Sequence, residues 1–185
     1  MELHEATTAD QLISLQADRI DIGFIVLPIN PEATVEVTPI HLDRWVAAVP
    51  DSHPLANQDT ITLFDLHDEP WILFPGRYGP GIYERIIAAC EEANFVPRVT
   101  QRVRLMQTAL GLVAGGVGVA IVPHLLTSMR PIGVRFIELS GPGTPIPYDI
   151  ALVSTNITNP LRDSLIEIAK SAFFKNANAV IYGGS

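Results

Sequence analysis

A chain of 185 residues is long enough for one domain or two small lobes. Hydrophobic residues make up 48% and charged residues 17%, so the chain can bury a substantial core and need not be disordered. Twelve Lys and Arg against 20 Asp and Glu give a net charge of −8, which leaves no basic face of the kind a free-standing DNA-binding module uses. The acidity does not exclude a small anionic ligand or a protein partner, because a local site can oppose the global sign.

Cys90 is the only cysteine, so neither an intramolecular disulfide nor a cysteine zinc cluster can form, which suits a reducing cytoplasm. No apolar run approaches the length of a membrane span, and residues 1–20 lack a basic start followed by an apolar stretch. The expected location is cytoplasmic, with no membrane contact.

In chain order, Met1–Glu5 is a short candidate strand. Thr8 and Gln11 have capping-box spacing, and a helix is predicted over about Ala9–Ala17, with Leu12, Leu15 and Gln16 at helical intervals. Ile20–Leu27 is a nearly continuous apolar run that predicts a buried strand. Pro28–Pro39 is a connector, while Val35–Thr38 and Arg44–Val49 look extended. Pro50-Asp51-Ser52-His53-Pro54 punctuates the chain, and Leu63–His67 suits a helical turn. Trp71–Phe74 predicts a second buried strand, ended by Pro75-Gly76.

A helix is predicted from about Gly81 to Ala93, with Ile82, Ile86, Ala89 and Ala93 on one face. Arg98–Val103 is extended, and Met106–Ala114 is a helix closed by Gly115-Gly116. Val117–Val122, Val134–Leu139 and Tyr148–Ser154 are further strands. A last helix is predicted from about Pro160 to Phe174, with Leu161, Leu165, Ile168 and Ala172 as its apolar stripe. Alternating strands and helices predict an α/β fold with mostly parallel pairing and a ligand at the carboxyl ends of the strands.

Three segments resemble LysR-type effector domains. They are Ile20-Asp21-Ile22-Gly23-Phe24 after an amphipathic helix, the run Val49 to Leu55, and Gln107 through Pro123. Within that family the closest resemblance is to regulators of aromatic-compound catabolism, those responding to muconate or benzoate. It is carried by Glu2-Leu3-His4-Glu5 leading into Thr7-Thr8, by Pro75 to Ile82, and by the Gly-rich helix–strand. The resemblance implies a type II periplasmic-binding-protein-like fold of two α/β lobes joined by a two-strand hinge, with the effector in the cleft. Residues 1–41 and 147–185 would form lobe I, and 42–146 lobe II. The family's winged helix–turn–helix and linker helix have no counterpart in the sequence, nor do the first strand and first helix of the effector domain. Lobe I is therefore expected to be truncated, and the apolar tail Ala179–Tyr182 is a candidate for the empty strand position.

The effectors of this subfamily are small carboxylates, and a carboxylate needs N–H donors and positive potential, both present at helix N-termini. The resemblance assigns Thr7 and Thr8 to the effector, with the Thr8 hydroxyl and amide in contact; the alternative is that Thr8 only caps its helix. It also assigns Pro80, Gly81 and Ile82; the alternative is an ordinary Pro/Gly turn. Ile82 stands where close relatives carry an aromatic, so stacking on a flat ligand is expected to be lost. Phe24 is a candidate cleft wall, or plain core. Arg77 could steer an anion or simply be solvated. Val26 stands where some relatives carry an Arg of a second effector site, so no second site is expected.

The turn Gly115-Gly116-Val117-Gly118 follows a helix and precedes a strand, the reverse of a phosphate-binding loop. His4, His41, His53, His67 and His124 have no metal-ligand spacing and read as isolated surface or capping residues. Cys90 reads as a small buried hydrophobe, and the adjacent acids Asp68-Glu69 and Glu91-Glu92 as solvated faces. No metal, cofactor or catalytic residue is expected. The expected partners are a small organic acid effector, aromatic or dicarboxylic, and a second copy of the chain or an intact regulator, without direct DNA binding by this chain alone. A solute-binding protein of transport, an enzyme on the same scaffold, and a naturally shortened regulator acting through protein contacts are the competing readings.

Overall fold

The computed structural model describes residues 2–29, 35–155, 163–169 and 171. The chain divides into two compact units, one of Met1–Leu42 with Asp149–Ser185 and one of Asp43–Tyr148. It passes between them within two strands, β2 (Glu36–Pro50) and β8 (Pro147–Ser154).

The first unit opens with helix α1 (Thr8–Gln16), whose fully buried Leu15 seats it on strand β1 (Ile22–Val26). Gly23 permits that close approach, since a Cβ there would lie 2.7 Å from the Gln11 side-chain oxygen and 3.2 Å from Val153. β1 pairs antiparallel with β8, from Ile22 opposite Ser154 to Val26 opposite Ile150. Alternation along β8 divides the unit's apolar contacts. Ala151 and Val153 join Leu15 and Ile25, while Leu152 points the other way, to Ile40, Ile166 and Ala169.

Several expectations for this unit are corrected. Residues 2–5 form no strand. β1 is not buried on both faces, because Gly23 and Ile25 turn inward and Phe24 turns outward. Residues 163–169 are helical, but Ile168 is 64% exposed and Ile166 takes the core position that the predicted stripe gave it. Leu161, Ala172 and the tail Ala179–Tyr182 lie outside the described residues.

In the second unit Ala47 and Ala48 of β2 pair with both β6 (Ala120–Pro123) and β7 (Val134–Ser140), so β2 lies between them. Both pairings are antiparallel, whereas β3 (Thr60–Thr62) with β7 and β4 (Pro70–Leu73) with β5 (Arg98–Arg102) are parallel. The predominance of parallel pairing expected from the alternation of elements is thus incorrect. Residues 36–50 form one continuous strand rather than two extended pieces, and three neighbours (β6, β7 and, in the first unit, β1 against β8) run against their partners. Helices α2 (Pro80–Glu92) and α3 (Met106–Ala114) cover this unit, burying Ile82, Ile86, Ala89 and Cys90 from α2 and Ala109, Leu110 and Val113 from α3. The last three pack with Val46, Ala48, Ile72, Ala120, Val122 and Val134.

After α3, Gly116 takes a positive φ of 72°, the left-handed backbone with which helices commonly close. A Cβ on Gly118 would strike the Pro70 carbonyl, and this closeness lets Val119 N donate to Pro70 O at 2.9 Å and Ile72 N donate to Val119 O at 2.8 Å. Because these glycines make the turn, β6 starts at Ala120 rather than Val117. The 3-10 turn His124–Met129 that follows was not anticipated.

Candidate functional site

Thr7 has extended backbone angles (φ −71°, ψ 161°) and is the N-cap of α1. Its hydroxyl oxygen accepts from Asp10 N at 3.2 Å and its O–H donates to the Asp10 carboxylate at 2.8 Å. The capping box expected between Thr8 and Gln11 is therefore corrected to an N-cap by Thr7 through Asp10, one residue earlier. Gln11 instead donates to Ala6 O at 3.0 Å. Thr8 is the first helical residue, and its Oγ1 accepts from Val26 N at 3.3 Å, tying the helix start to the end of β1. The first helical N–H to find a carbonyl belongs to Gln11, bonded to Thr7 O at 2.9 Å, so the Thr8 and Ala9 N–H groups have no acceptor within the helix. Phe24 is 41% exposed, which rules out the plain-core reading.

The start of α2 is built differently. Its N-cap is Gly79, which has no side chain to offer, and Pro80 fills the first position. Tyr83 N donates to Gly79 O at 3.0 Å, which leaves Gly81 and Ile82 N–H without an acceptor in the helix. Ile82 is 5% exposed and its Cγ2 lies against Gly79, so what it has to offer a ligand is its N–H. The guanidinium groups of Arg77 and Arg104 sit 4.7 and 5.1 Å from the centre of the Tyr78 ring, and Arg77 donates to the Tyr78 hydroxyl at 3.0 Å. Two positive charges thus gather on the ring of Tyr78, the residue before the N-cap, in an acidic chain. The expected residues are brought together as two groups, Thr7, Thr8 and Phe24 in one unit and Pro80, Gly81 and Ile82 in the other.

Some polar groupings escaped the sequence reading. His53 is not isolated: its Nδ1 accepts from Leu55 N at 3.2 Å, so Nε2 carries the proton that faces Glu69 at 3.2 Å. Glu69 is accordingly not a bare solvated acid. Asp43 accepts from Arg44 N at 2.8 Å and from Leu125 N at 2.9 Å. Arg44 donates two bonds to Glu138, at 2.7 and 2.9 Å, which hold its guanidinium pKa above the ordinary value. His124 lies between Asp43 (3.8 Å) and Glu138 (3.7 Å). His124 and Glu138 also line a pocket of about 370 Å³ with Asn57, Asp59 and Arg135, which contains none of the expected effector residues. No spacing rule would have joined residues 43, 124 and 138, since only the pairing of β2 with β6 and β7 brings them together.

Aromatic rings fill another part of the second unit. Trp45 stacks on Phe74 with centroids 6.1 Å apart and meets Tyr148 edge to face at 5.3 Å, while Phe74 meets Tyr83 at 6.0 Å. Burial, with a smaller contribution from the Asp43 charge, pushes the Tyr148 phenol up to about 12. Cys90 is buried in α2, and burial, assisted by the charge of Glu91, pushes its thiol up to about 12, so it is inert as a nucleophile near neutrality. Among the described residues no group of three His, Cys, Asp or Glu could hold a metal ion. None of the described helices is long and apolar enough to cross a membrane.

This arrangement of strands and helices is the periplasmic-binding-protein-like α/β fold of regulator effector-binding domains. It matches the effector-binding domain of QuiR in complex with shikimate (TM-score 0.81, 23% identity, 94% of this chain and 81% of that one). It also matches the BenM effector-binding domain with its effector benzoate (TM-score 0.78, 27% identity, 95% and 79%). Residues 1–173 match the LysR substrate binding domain, and the chain belongs to that family. It is 32% identical over 140 residues to the uncharacterized HTH-type transcriptional regulator YnfL of Escherichia coli K12, covering 76% of this chain and 47% of that protein. It is 31% identical over 170 residues to the HTH-type transcriptional regulator CatR of Pseudomonas putida, covering 92% and 58%. The chain thus spans about half the length of the curated relatives it matches.

Proposed function

We propose that this chain senses a small organic carboxylate and, joined to a DNA-binding domain, controls transcription. The observation that carries this reading is the pair of helix starts in a LysR substrate-binding domain. Thr8 and Ala9 N–H open α1, and Gly81 and Ile82 N–H open α2. Free N–H groups and the positive end of a helix dipole suit a carboxylate, and Gly81 lets it reach the backbone. Arg77 and Arg104 add attraction at the second start. The two units are proposed as the two lobes of the sensor. Thr7, Thr8, Phe24, Pro80, Gly81 and Ile82 are proposed as the effector-binding residues.

The solved relatives named with benzoate and shikimate support a cyclic acid as the effector class, and CatR and BenM among the relatives support a place near the aromatic-catabolism regulators. The chain acts by binding rather than by catalysis, and works as a homo-oligomer or beside an intact regulator. An effector that favours one arrangement of the protein shifts its population, and attached DNA-binding heads would report that shift. On its own the chain does not bind operator DNA.

The test is thermal denaturation with benzoate, shikimate and cis,cis-muconate, because a ligand of the native state must raise stability. A concentration-dependent rise in Tm that disappears in Thr8→Val and Gly81→Val is expected. Absence of any rise with all three acids would overturn the reading.

A further inference from the structure

Trp45 and Trp71 are the only two tryptophans, and their indole N–H groups differ in one respect. Trp71 Nε1 donates to Leu66 O at 3.0 Å. Trp45 is 2% exposed, yet its Nε1 has no acceptor among the described residues. A buried donor left without an acceptor costs free energy, so such groups in folded proteins call for an explanation. The location suggests one. Trp45 stacks on Phe74, whose Cε2 stands 3.8 Å from the position a Gly79 Cβ would take, and Gly79 is the N-cap of α2. The Trp45 indole that carries the orphaned donor is therefore separated by one ring, Phe74, from the proposed carboxylate-binding helix start, inside the same unit.

The surroundings decide what kind of acceptor it would take. Phe74 and Tyr148 pack on the indole, and neither brings a cation. Placing a carboxylate among them would be costly, whereas a neutral hydroxyl keeps its second hydrogen-bonding role and pays little for burial. The carboxylate belongs at the helix start instead, where N–H groups and arginines gather.

We propose that Trp45 is a specificity-determining residue whose indole N–H donates to a ring hydroxyl of the effector, so that the preferred ligand is a hydroxylated cyclic carboxylic acid. This rests on the effector-binding reading above and adds the ligand's second polar contact. Phe74 and Trp45 supply the aromatic surroundings that Ile82 does not.

The test compares acids differing in one hydroxyl. Calorimetric titration of the whole chain with benzoate and with meta- and para-hydroxybenzoate, and shikimate as a hydroxylated non-aromatic acid, gives the affinities. At least one hydroxylated acid is expected to bind about tenfold more tightly than benzoate, the worth of one buried hydrogen bond. Trp45→Phe should remove that preference, so that the hydroxylated acid and benzoate bind the variant within a factor of about three of each other. In the unaltered protein the Trp45 indole N–H proton resonance, identified by its persistence in Trp71→Phe or its absence from Trp45→Phe, should move on addition of the hydroxylated acid while the Trp71 resonance stays. With only two tryptophans, either variant alone assigns both indole signals, so this readout stands if the other variant does not fold. Equal affinity for benzoate and every hydroxylated acid, or an unmoved Trp45 resonance with a hydroxylated acid bound, overturns this inference alone. Failure of every acid to bind overturns the effector reading and this inference with it.

Discussion

Thr8 Oγ1 accepts a hydrogen bond from Val26 N at 3.3 Å, fastening the first turn of α1 to the last residue of β1. The neighbouring Thr7 spends its hydroxyl on the helix itself, through Asp10. Two adjacent threonines therefore do separate jobs, and substitution separates them. Thr8→Val leaves a half-buried N–H without its acceptor and should cost about 1–2 kcal/mol in chemical denaturation. Thr7→Ala removes a cap and should cost about 1 kcal/mol. Of the two, Thr8→Val should also weaken binding of any acid that raises Tm.

Glycine substitutions should sort sharply by what surrounds them. A Cβ on Gly118 meets the Pro70 carbonyl, so Gly118→Ala must part β4 from Val119 and break two backbone hydrogen bonds. A loss of about 2–4 kcal/mol is expected from urea denaturation. Gly111 lies in α3 with nothing within 4 Å of its would-be Cβ, so Gly111→Ala should stabilise by about 0.5–1 kcal/mol.

Alkaline stability should depend on Cys90. Its thiol titrates at about 12 in the folded chain against an ordinary 9.0, so above pH 9 the unfolded chain releases a proton that the folded chain keeps. The stability this group contributes is complete below about pH 9 and is lost as pH rises toward 12. Tyr148 acts in the same sense between its ordinary 10.0 and about 12. Cys90→Ala should therefore lose less Tm than the unaltered chain between pH 9 and pH 11, measured relative to each protein's value at pH 7.

The Arg44–Glu138 pair has good geometry but sits at the surface, with side chains 44% and 42% exposed. Glu138→Gln should cost no more than about 1 kcal/mol, and the cost should shrink in high salt. Denaturation midpoints with and without added salt measure both.

The helices were legible because their apolar residues repeat every three or four positions; α2 buries Ile82, Ile86 and Ala89 as that spacing requires. Strand direction was not, because periodicity within Val134–Ser140 says nothing about which strand it meets or which way that strand runs. Thr7 and Thr8 were both identified, but two consecutive threonines carry the same signal, and only the backbone angles show which one caps. Trp45 was hidden in an extended stretch, where a lone aromatic reads as core and an unsatisfied N–H cannot be seen without its neighbours.

Residues 43–148 form the second unit from one uninterrupted stretch, whereas the first is assembled from segments on both sides of it. During translation the inner unit emerges whole and can fold as soon as it clears the ribosome. β1, by contrast, must wait for Ile150–Ser154 before it finds its antiparallel neighbour. A nascent chain halted between these events would therefore carry one finished half and one exposed strand edge, a form suited to chaperone capture.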